Sequence, residues 1–406
     1  MAKTPQKSRS WPTKMWVRIR FDIGWRDLFL GLRDCLWSWQ RKSTLCKTEQ
    51  AWGDEPDFLV TLSVRSSFDL ALRALQLPRG SEVLFSAITV PDMIRIAESH
   101  GLVIVPVDTD DRGQLCLSSL KKSLTPNTKM LVVAHLFGCS APMEEVCRIV
   151  DPYDLLIVED CAQSFRNPGG RGHPRSDFVM HSFGPIKTCT ALGGSVVKIP
   201  SQRLRSRMLR LLESDPVQSR ASFARRMVRF GVLKALSGCR TSGLLKYVVT
   251  RFGHEFDSFA NSLGRSFSGV VLQQQIRKQP SEPLLRLLRR RWMGYDSARF
   301  ERRIEMGRRL DTRLEIPPVE NHLYWVYPLF VDEAERLASE LNRIGFDATC
   351  RNRMRVVEGD QNRTRAVNAK SIWRRVVFLP WYPDLPNHEL DRMADCVRAF
   401  QSRLAQ

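Results

Sequence analysis

Residues 155–165 read Leu-Leu-Ile-Val-Glu-Asp-Cys-Ala-Gln-Ser-Phe. A short apolar run that ends in two acids is the pattern of a buried strand with a functional end. The pattern repeats upstream. Phe58–Val64, Glu82–Phe85, Val103–Val107 and Met130–Ala134 are further apolar runs. Helical spacing separates them: Phe68 to Leu77, Met93–His100, Leu115–Leu124 and Glu144–Val150. Strand and helix in alternation predict an α/β fold with a mostly parallel sheet flanked by helices on both faces. Such sheets bind ligands outside the carboxyl ends of their strands. Ser66, Ser67, Asp108, His135 and Asp160 follow apolar runs and are the polar residues so placed.

Downstream of Asp160 the chain reads His181-Ser182-Phe183-Gly184-Pro185-Ile186-Lys187-Thr188, then Ala191-Leu192-Gly193-Gly194. An acid at the end of a buried strand is costly without a partner, and a protonated ring nitrogen is one that repays it. Lys187 follows a small-residue turn and precedes the uncharged stretch to Gly194. A lysine in such surroundings can have a lowered pKa and act as an amine nucleophile. Together the two residues suit a pyridoxal phosphate site, with the lysine forming the Schiff base and the acid holding the pyridinium. Singly, each also reads blandly: Asp160 as a helix cap or ion-pair member, Lys187 as a surface charge.

These stretches resemble the DegT/DnrJ/StrS-type sugar aminotransferases, which are pyridoxal phosphate enzymes of the aspartate-aminotransferase fold. Glu159-Asp160-Cys161-Ala162-Gln163 is similar to the family's Glu-Asp-x-Ala-Gln. Ser182 to Lys187 matches its Ser-Phe-x-x-x-Lys, and Gly193-Gly194 its glycine pair. Gly80-Ser81-Glu82-Val83, Thr128-Lys129, Val132 to Gly138 and the closing Phe378-Leu379-Pro380 and Leu385 to Leu390 stretches look like further family segments. The resemblance implies fold type I, with a smaller C-terminal α/β domain. It implies that Lys187 is catalytic and binds the cofactor, with Asp160 on the ring nitrogen and Gln163 on the ring or its phenolic oxygen. By the same resemblance, Ser182, Ser66 and Ser67 hold the phosphate, and His135 lies beneath the cofactor. A core histidine satisfied by backbone is an equal reading of His135. The implied reaction moves an amino group from glutamate to a nucleotide-linked keto-sugar, in a cytoplasmic homodimer serving polysaccharide biosynthesis. Family members that dehydrate instead have His at the lysine position, so Lys187 argues for transamination.

The sequence also departs from the pattern. Thr89 is followed by Val90-Pro91, so an aromatic residue stacking from there is lost. Leu192 stands where the family has Glu. Gly264 to Ser268 occupies the stretch where a partner subunit often supplies Asn, and Ser266 is the candidate substitute.

The 406 residues carry 63 Lys and Arg against 43 Asp and Glu, a net charge of +20. The excess is local: residues 201–310 hold 24 basic and 8 acidic residues, and residues 1–50 hold 11 and 4. The expected organisation is a basic, Trp-rich arm (1–54), a large cofactor-binding domain (55–200), a basic helical segment (201–310) and a small C-terminal domain (311–406). Trp16 to Trp39 mixes Trp and Leu with Arg, and 222–252 mixes Phe, Val and Leu with Arg and Lys. Each reads either as a packed amphipathic element or as a peripheral membrane contact. No nucleic-acid motif accompanies the charge. The ten cysteines form no CxxC pair and no His cluster lies beside them, which argues against a structural zinc site and for buried thiols in a reducing compartment. No apolar run is long enough to span a membrane. The competing functional readings are a related enzyme acting on a non-sugar ketone, and a catalytically idle, membrane-associated scaffold of the same fold.

Overall fold

The structure is a computed structural model that describes residues 14–18, 20–37, 40–53, 57–167, 170–238, 241, 272–350, 354–359, 365–404 and 406. Trp39, Ser266 and the 222–252 segment beyond residue 238, apart from Thr241, lie outside the described residues.

Eight strands run through this region: β1 (Phe58–Thr61), β2 (Glu82–Ser86), β3 (Ile88–Thr89), β4 (Val103–Val107), β5 (Thr128–Ala134), β6 (Leu156–Asp160), β7 (Phe178–Ser182) and β8 (Ser195–Lys198); the expected apolar runs form β1, β2, β4, β5 and β6, while β3, β7 and β8 are not among those expected. Seven of them make one sheet in the order β1-β8-β7-β6-β5-β2-β4. The run from β4 to β7 is parallel, and β8 pairs antiparallel with both β7 and β1. The first strand ends at Thr61, earlier than its apolar run suggests. The reason is Ser63, whose Oγ accepts from the Ser66 N–H at 3.2 Å and starts a helix at Val64. Ser66 and Ser67 therefore lie in the first helical turn and not ahead of it.

The helices are α1 (Trp25–Leu36), α2 (Arg41–Gln50), α3 (Val64–Leu75), α4 (Pro91–Ser99), α5 (Leu117–Ser123), α6 (Met143–Val150), α7 (Gln202–Ser214) and α8 (Arg220–Leu236), followed by α9 (Leu272–Ile276), α10 (Glu282–Met293), α11 (Ala298–Arg313), α12 (Ala334–Arg343), α13 (Val367–Arg375) and α14 (Asn387–Leu404). One face of the sheet (Phe85, Val132, Val158) packs on Phe68, Leu72, Met93 and Met208 of α3, α4 and α7. The other (Leu84, Leu131, Ile157) packs on Leu120, Val146 and Cys147 of α5 and α6. Both faces of the parallel region are covered, as such a sheet requires.

A separate core joins α11, α12 and α14 to β9 (Pro328–Phe330) and β11 (Val376–Phe378), a two-stranded antiparallel sheet. The short β10 (Arg355–Val356) crosses back to pair with β3.

The N-terminal arm packs on its own chain. Trp16 bridges to Phe346, and Arg18 Nη1 donates to Asp347 Oδ1 at 2.9 Å. Farther along, α1 lies against α8 and α10. Asp34 is buried and paired with Arg290 at 3.0 Å. The four leucines of α10, Leu284, Leu285, Leu287 and Leu288, are fully buried in an aromatic cluster with Trp52, Phe165, Phe183 and Trp292. Among the described residues no helix is long and apolar enough to cross a membrane.

Candidate active site

The ends of β5, β6 and β7 are aligned by register: Ala134 pairs with Asp160, and Asp160 with Met180. This brings the Asp160 carboxylate to the carboxyl edge of the sheet. Its Oδ1 accepts from the Ala162 N–H at 3.0 Å. Among the described residues no hydrogen bond reaches its other oxygen. Burial pushes the carboxyl pKa up, while the Ala162 N–H and the charges of Lys187 and Arg65 oppose that shift.

Lys187 follows β7 on a loop held at both ends. Its N–H donates to the Gly184 carbonyl at 3.0 Å, and Thr190 Oγ1 donates to the same carbonyl at 2.6 Å. From outside the loop, buried Arg303 donates to Thr188 Oγ1 at 3.0 Å, and the Cys189 N–H donates to Asp22 Oδ2 of the N-terminal arm at 2.8 Å. Cys189 and Leu192 sit at φ 55° and 61°, a left-handed conformation that costs energy outside glycine. The clamps fix this strained loop.

The Lys187 ammonium lies over the Trp325 ring, 4.1 Å from its centroid. It makes no hydrogen bond among the described residues. Burial pushes its pKa down from 10.5 to about 8; Asp160 pulls it up, and Arg65 presses it further down. An amine of this kind is substantially neutral near pH 8, as a nucleophile must be.

The three serines meet at one corner. Ser182 is the register partner of Ser195, whose Oγ lies 3.1 Å from Ser67 Oγ. Ser67 is fully buried and also bonded to Thr61 Oγ1 at 2.7 Å, so its hydroxyl is spent inside the fold. Ser66 Oγ is 2.9 Å from Ser63 Oγ at the head of α3. Among the described residues, Ser182 Oγ has only a long 3.5 Å contact from the Gly184 N–H. Gln163 bridges two bodies: its Oε1 accepts from Phe137 N–H at 2.8 Å, and its Nε2 faces Met354 Sδ at 3.3 Å.

His135 is committed at both nitrogens. Nδ1 accepts from the Ala141 N–H at 2.9 Å, and Nε2 donates to buried Glu159 at 2.8 Å. An N–H aimed at Nδ1 fixes the neutral, Nε2-protonated ring. Ligand atoms of His135, Glu159 and Cys161 lie within 4.8 Å of one another. Glu159 Oε1 already accepts from Ser176 Oγ and the His173 N–H, each at 2.6 Å, and neither imidazole nitrogen has a lone pair to spare. The trio is a hydrogen-bonded network rather than a cation cage.

Two neighbours carry no motif. Trp325 enters from the second core. Gly138 makes the approach possible: it sits at φ 95°, and a Cβ there would lie 2.6 Å from the Trp325 nitrogen. The run His322-Leu323-Tyr324-Trp325-Val326-Tyr327, rich in aromatics ahead of a strand, was the available signal. Arg65 is the second, in the first turn of α3, with its Nε 2.6 Å from Asp92 Oδ2. A charge among residues that are otherwise nearly all buried marks it.

The DegT/DnrJ/EryC1/StrS aminotransferase family model matches residues 57–233. A UDP-N-acetyl-3-dehydro-alpha-D-glucosamine 3-aminotransferase from Acidithiobacillus ferrooxidans is 30% identical over 148 residues, 36% of this chain and 40% of that one. The chain thus spans less than half of that relative in the match. A dTDP-3-amino-3,4,6-trideoxy-alpha-D-glucose transaminase from Streptomyces venezuelae is 27% identical over 371 residues, 89% of this chain and 85% of that one. Among solved structures, the aminotransferase TlmJ from Streptoalloteichus hindustanus superposes with a TM-score of 0.70 at 15% identity, over 96% of this chain and all of that one. NtdA from Bacillus subtilis with bound PMP gives 0.64 at 16%, over 92% and 81%. At those identities the structural likeness carries the fold alone, which is the aminotransferase α/β fold expected. Over residues 57–233 the chain is similar to the DegT/DnrJ/EryC1/StrS aminotransferase family.

Proposed function

We propose that this chain is a pyridoxal phosphate-dependent aminotransferase that moves an amino group, with glutamate as donor, onto a keto-sugar carried on a nucleotide. The observation that carries this reading is the electrostatic influence of Asp160 and Lys187 on each other at the sheet's carboxyl edge. A half-buried carboxylate with one oxygen unbonded among the described residues and a neighbouring amine lowered to about 8 fit the cofactor's ring N–H and its aldehyde carbon, respectively. The bound cofactor supplies an electron sink for the carbon that loses its proton.

The protein's own groups do the rest. Asp160 keeps a proton on the ring nitrogen. Lys187 Nζ binds the cofactor and then carries a proton between adjacent carbons of the reacting centre. Ser66, Ser182 and the head of α3 offer hydroxyls and N–H groups to the phosphate. Ser67 acts on it only through the packing of that helix. Gln163 and His135 hold the floor of the site. The catalytic unit is taken to be a homodimer in the cytoplasm, the setting that suits reduced cysteines.

The test is a single turnover. Protein loaded with pyridoxal phosphate is mixed with glutamate, and 2-oxoglutarate is measured; a panel of UDP-, GDP- and dTDP-linked keto-sugars then follows, read by mass spectrometry. Release of 2-oxoglutarate and an aminated sugar support the proposal. Turnover with simple ketones alone moves the acceptor to a non-sugar compound. No cofactor retained leaves the idle scaffold.

A further inference from the structure

Helices α1 and α8 lie side by side and antiparallel. A Cβ on Gly31 would come within 2.4 Å of Met227 Cε, and the Lys234 ammonium sits 5.7 Å from the Trp25 ring centroid. Their inner faces are core: Leu28 and Gly31 on one, Phe223, Met227 and Phe230 on the other.

Their outer faces are not. Trp25 is 57% exposed, Phe29 69%, Leu36 78%, Trp37 61%, Val228 53% and Val232 55%. At ~100° per residue, Trp25, Leu36 and Phe29 fall within about 40° of one another on the edge of α1 next to α8. Arg33 and Arg26 follow on its far side. On α8, Val228 and Val232 lie toward α1, with Arg225 beyond them. The result is an apolar band along the groove between two helices, with arginines on both outer flanks. Scattered exposed apolar side chains are ordinary, but a rimmed band of six is an interaction surface.

The charge of the rim identifies the partner. α8 contains no Asp or Glu. Of the acids of α1, Asp27 pairs with Arg291, and buried Asp34 with Arg290 and, at 3.3 Å, with the rim's own Arg33, so Arg26 and Arg225 carry the charge of the rim. A second copy docked face to face would set arginine against arginine. A lipid surface with anionic headgroups neutralises the arginines and takes Trp, Phe and Leu into the headgroup–acyl boundary. We infer that the α1–α8 face docks this chain on an anionic membrane surface. This stands independently of the catalytic reading.

The experiment is co-flotation of the full chain with vesicles of phosphatidylcholine alone or mixed with phosphatidylglycerol. Wild type partitions to the anionic vesicles about tenfold or more better than to the neutral ones, and loses that preference in high salt. Phe29→Glu with Val232→Glu, both at exposed positions, lowers partition about tenfold with an unchanged far-UV circular dichroism spectrum. Should that pair disturb the fold, Arg26→Ser with Arg225→Ser, which leaves the apolar band intact, gives the same loss. Failure to float with anionic vesicles at low salt overturns the inference, and so does unaltered flotation of a folded variant. Self-association of wild type without lipid that the Glu variant abolishes also overturns it, by assigning the face to a second copy.

Discussion

Lys187 Nζ sits 4.1 Å from the centre of the Trp325 ring. The two come from different cores, the lysine from the loop after β7 and the tryptophan from the segment before β9. The ring shields the amine from water on one side, and its electron-rich face partly compensates the cation. Burial still wins, which is why the lysine is lowered overall.

The first prediction concerns pH. Attachment of pyridoxal phosphate needs the neutral amine, so its rate rises with pH and levels off above about 8, where an unperturbed lysine would keep rising to 10.5. Trp325→Ala admits water to Nζ and moves the midpoint upward; Trp325→Phe moves it less. Stopped-flow absorbance between pH 6 and 10 checks both. Lys187→Ala removes the visible band altogether, with little change in Tm, because Nζ makes no hydrogen bond among the described residues.

Asp160→Asn keeps the shape and removes the charge. Cofactor still binds, and the transamination rate falls roughly a hundred- to a thousand-fold, the scale of removing one preorganised group that stabilises charge in the reaction. Tm holds or rises, since the half-buried carboxylate costs the apoprotein stability. Half-reaction kinetics and calorimetry on the one variant separate the two effects.

Gly138→Ala tests the close approach. The new Cβ would clash with the Trp325 backbone at a φ of 95°. A loss of about 1–3 kcal/mol follows. Denaturant unfolding measures it, and tryptophan fluorescence reports the displaced ring.

Asp22→Ala removes the acceptor for the Cys189 N–H and a 3.2 Å partner of Arg299. The expected cost is about 1–3 kcal/mol, with cofactor retention weakened more than Tm suggests, because the lysine loop loses its outer clamp. Dialysis of the loaded protein measures retention.

The fold was legible because each parallel strand, buried on both sides, reads as an unbroken apolar run, as in 130–134 and 156–158. Asp160 and Lys187 were legible because each breaks a local rule: an acid at the end of a buried strand, a lysine in an uncharged stretch. Trp325 was not, since its place depends on how a second core leans on the first, and spacing carries no record of that. Ser67 shows the reverse limit: a hydroxyl at the head of a helix looks available for an anion, and only the packing against Thr61 and Ser195 reveals that it is taken. The arm's tryptophans read equally as packed or exposed, and α1 supplies both, with Leu28 inside and Phe29 outside.

Arg18 and Asp347 stand 329 positions apart in the chain. During synthesis the arm emerges long before its docking surface at Gly345–Asp347. Phe21 and Asp22 can by then already meet Phe230 and Arg299, but Trp16 and Arg18 still lack Phe346 and Asp347. Docking of the arm's leading end therefore follows the closure of the loop that carries Lys187. A nascent chain stalled before residue 345 would hold a finished sheet and a clamped lysine loop beside an arm whose leading end has nowhere to dock.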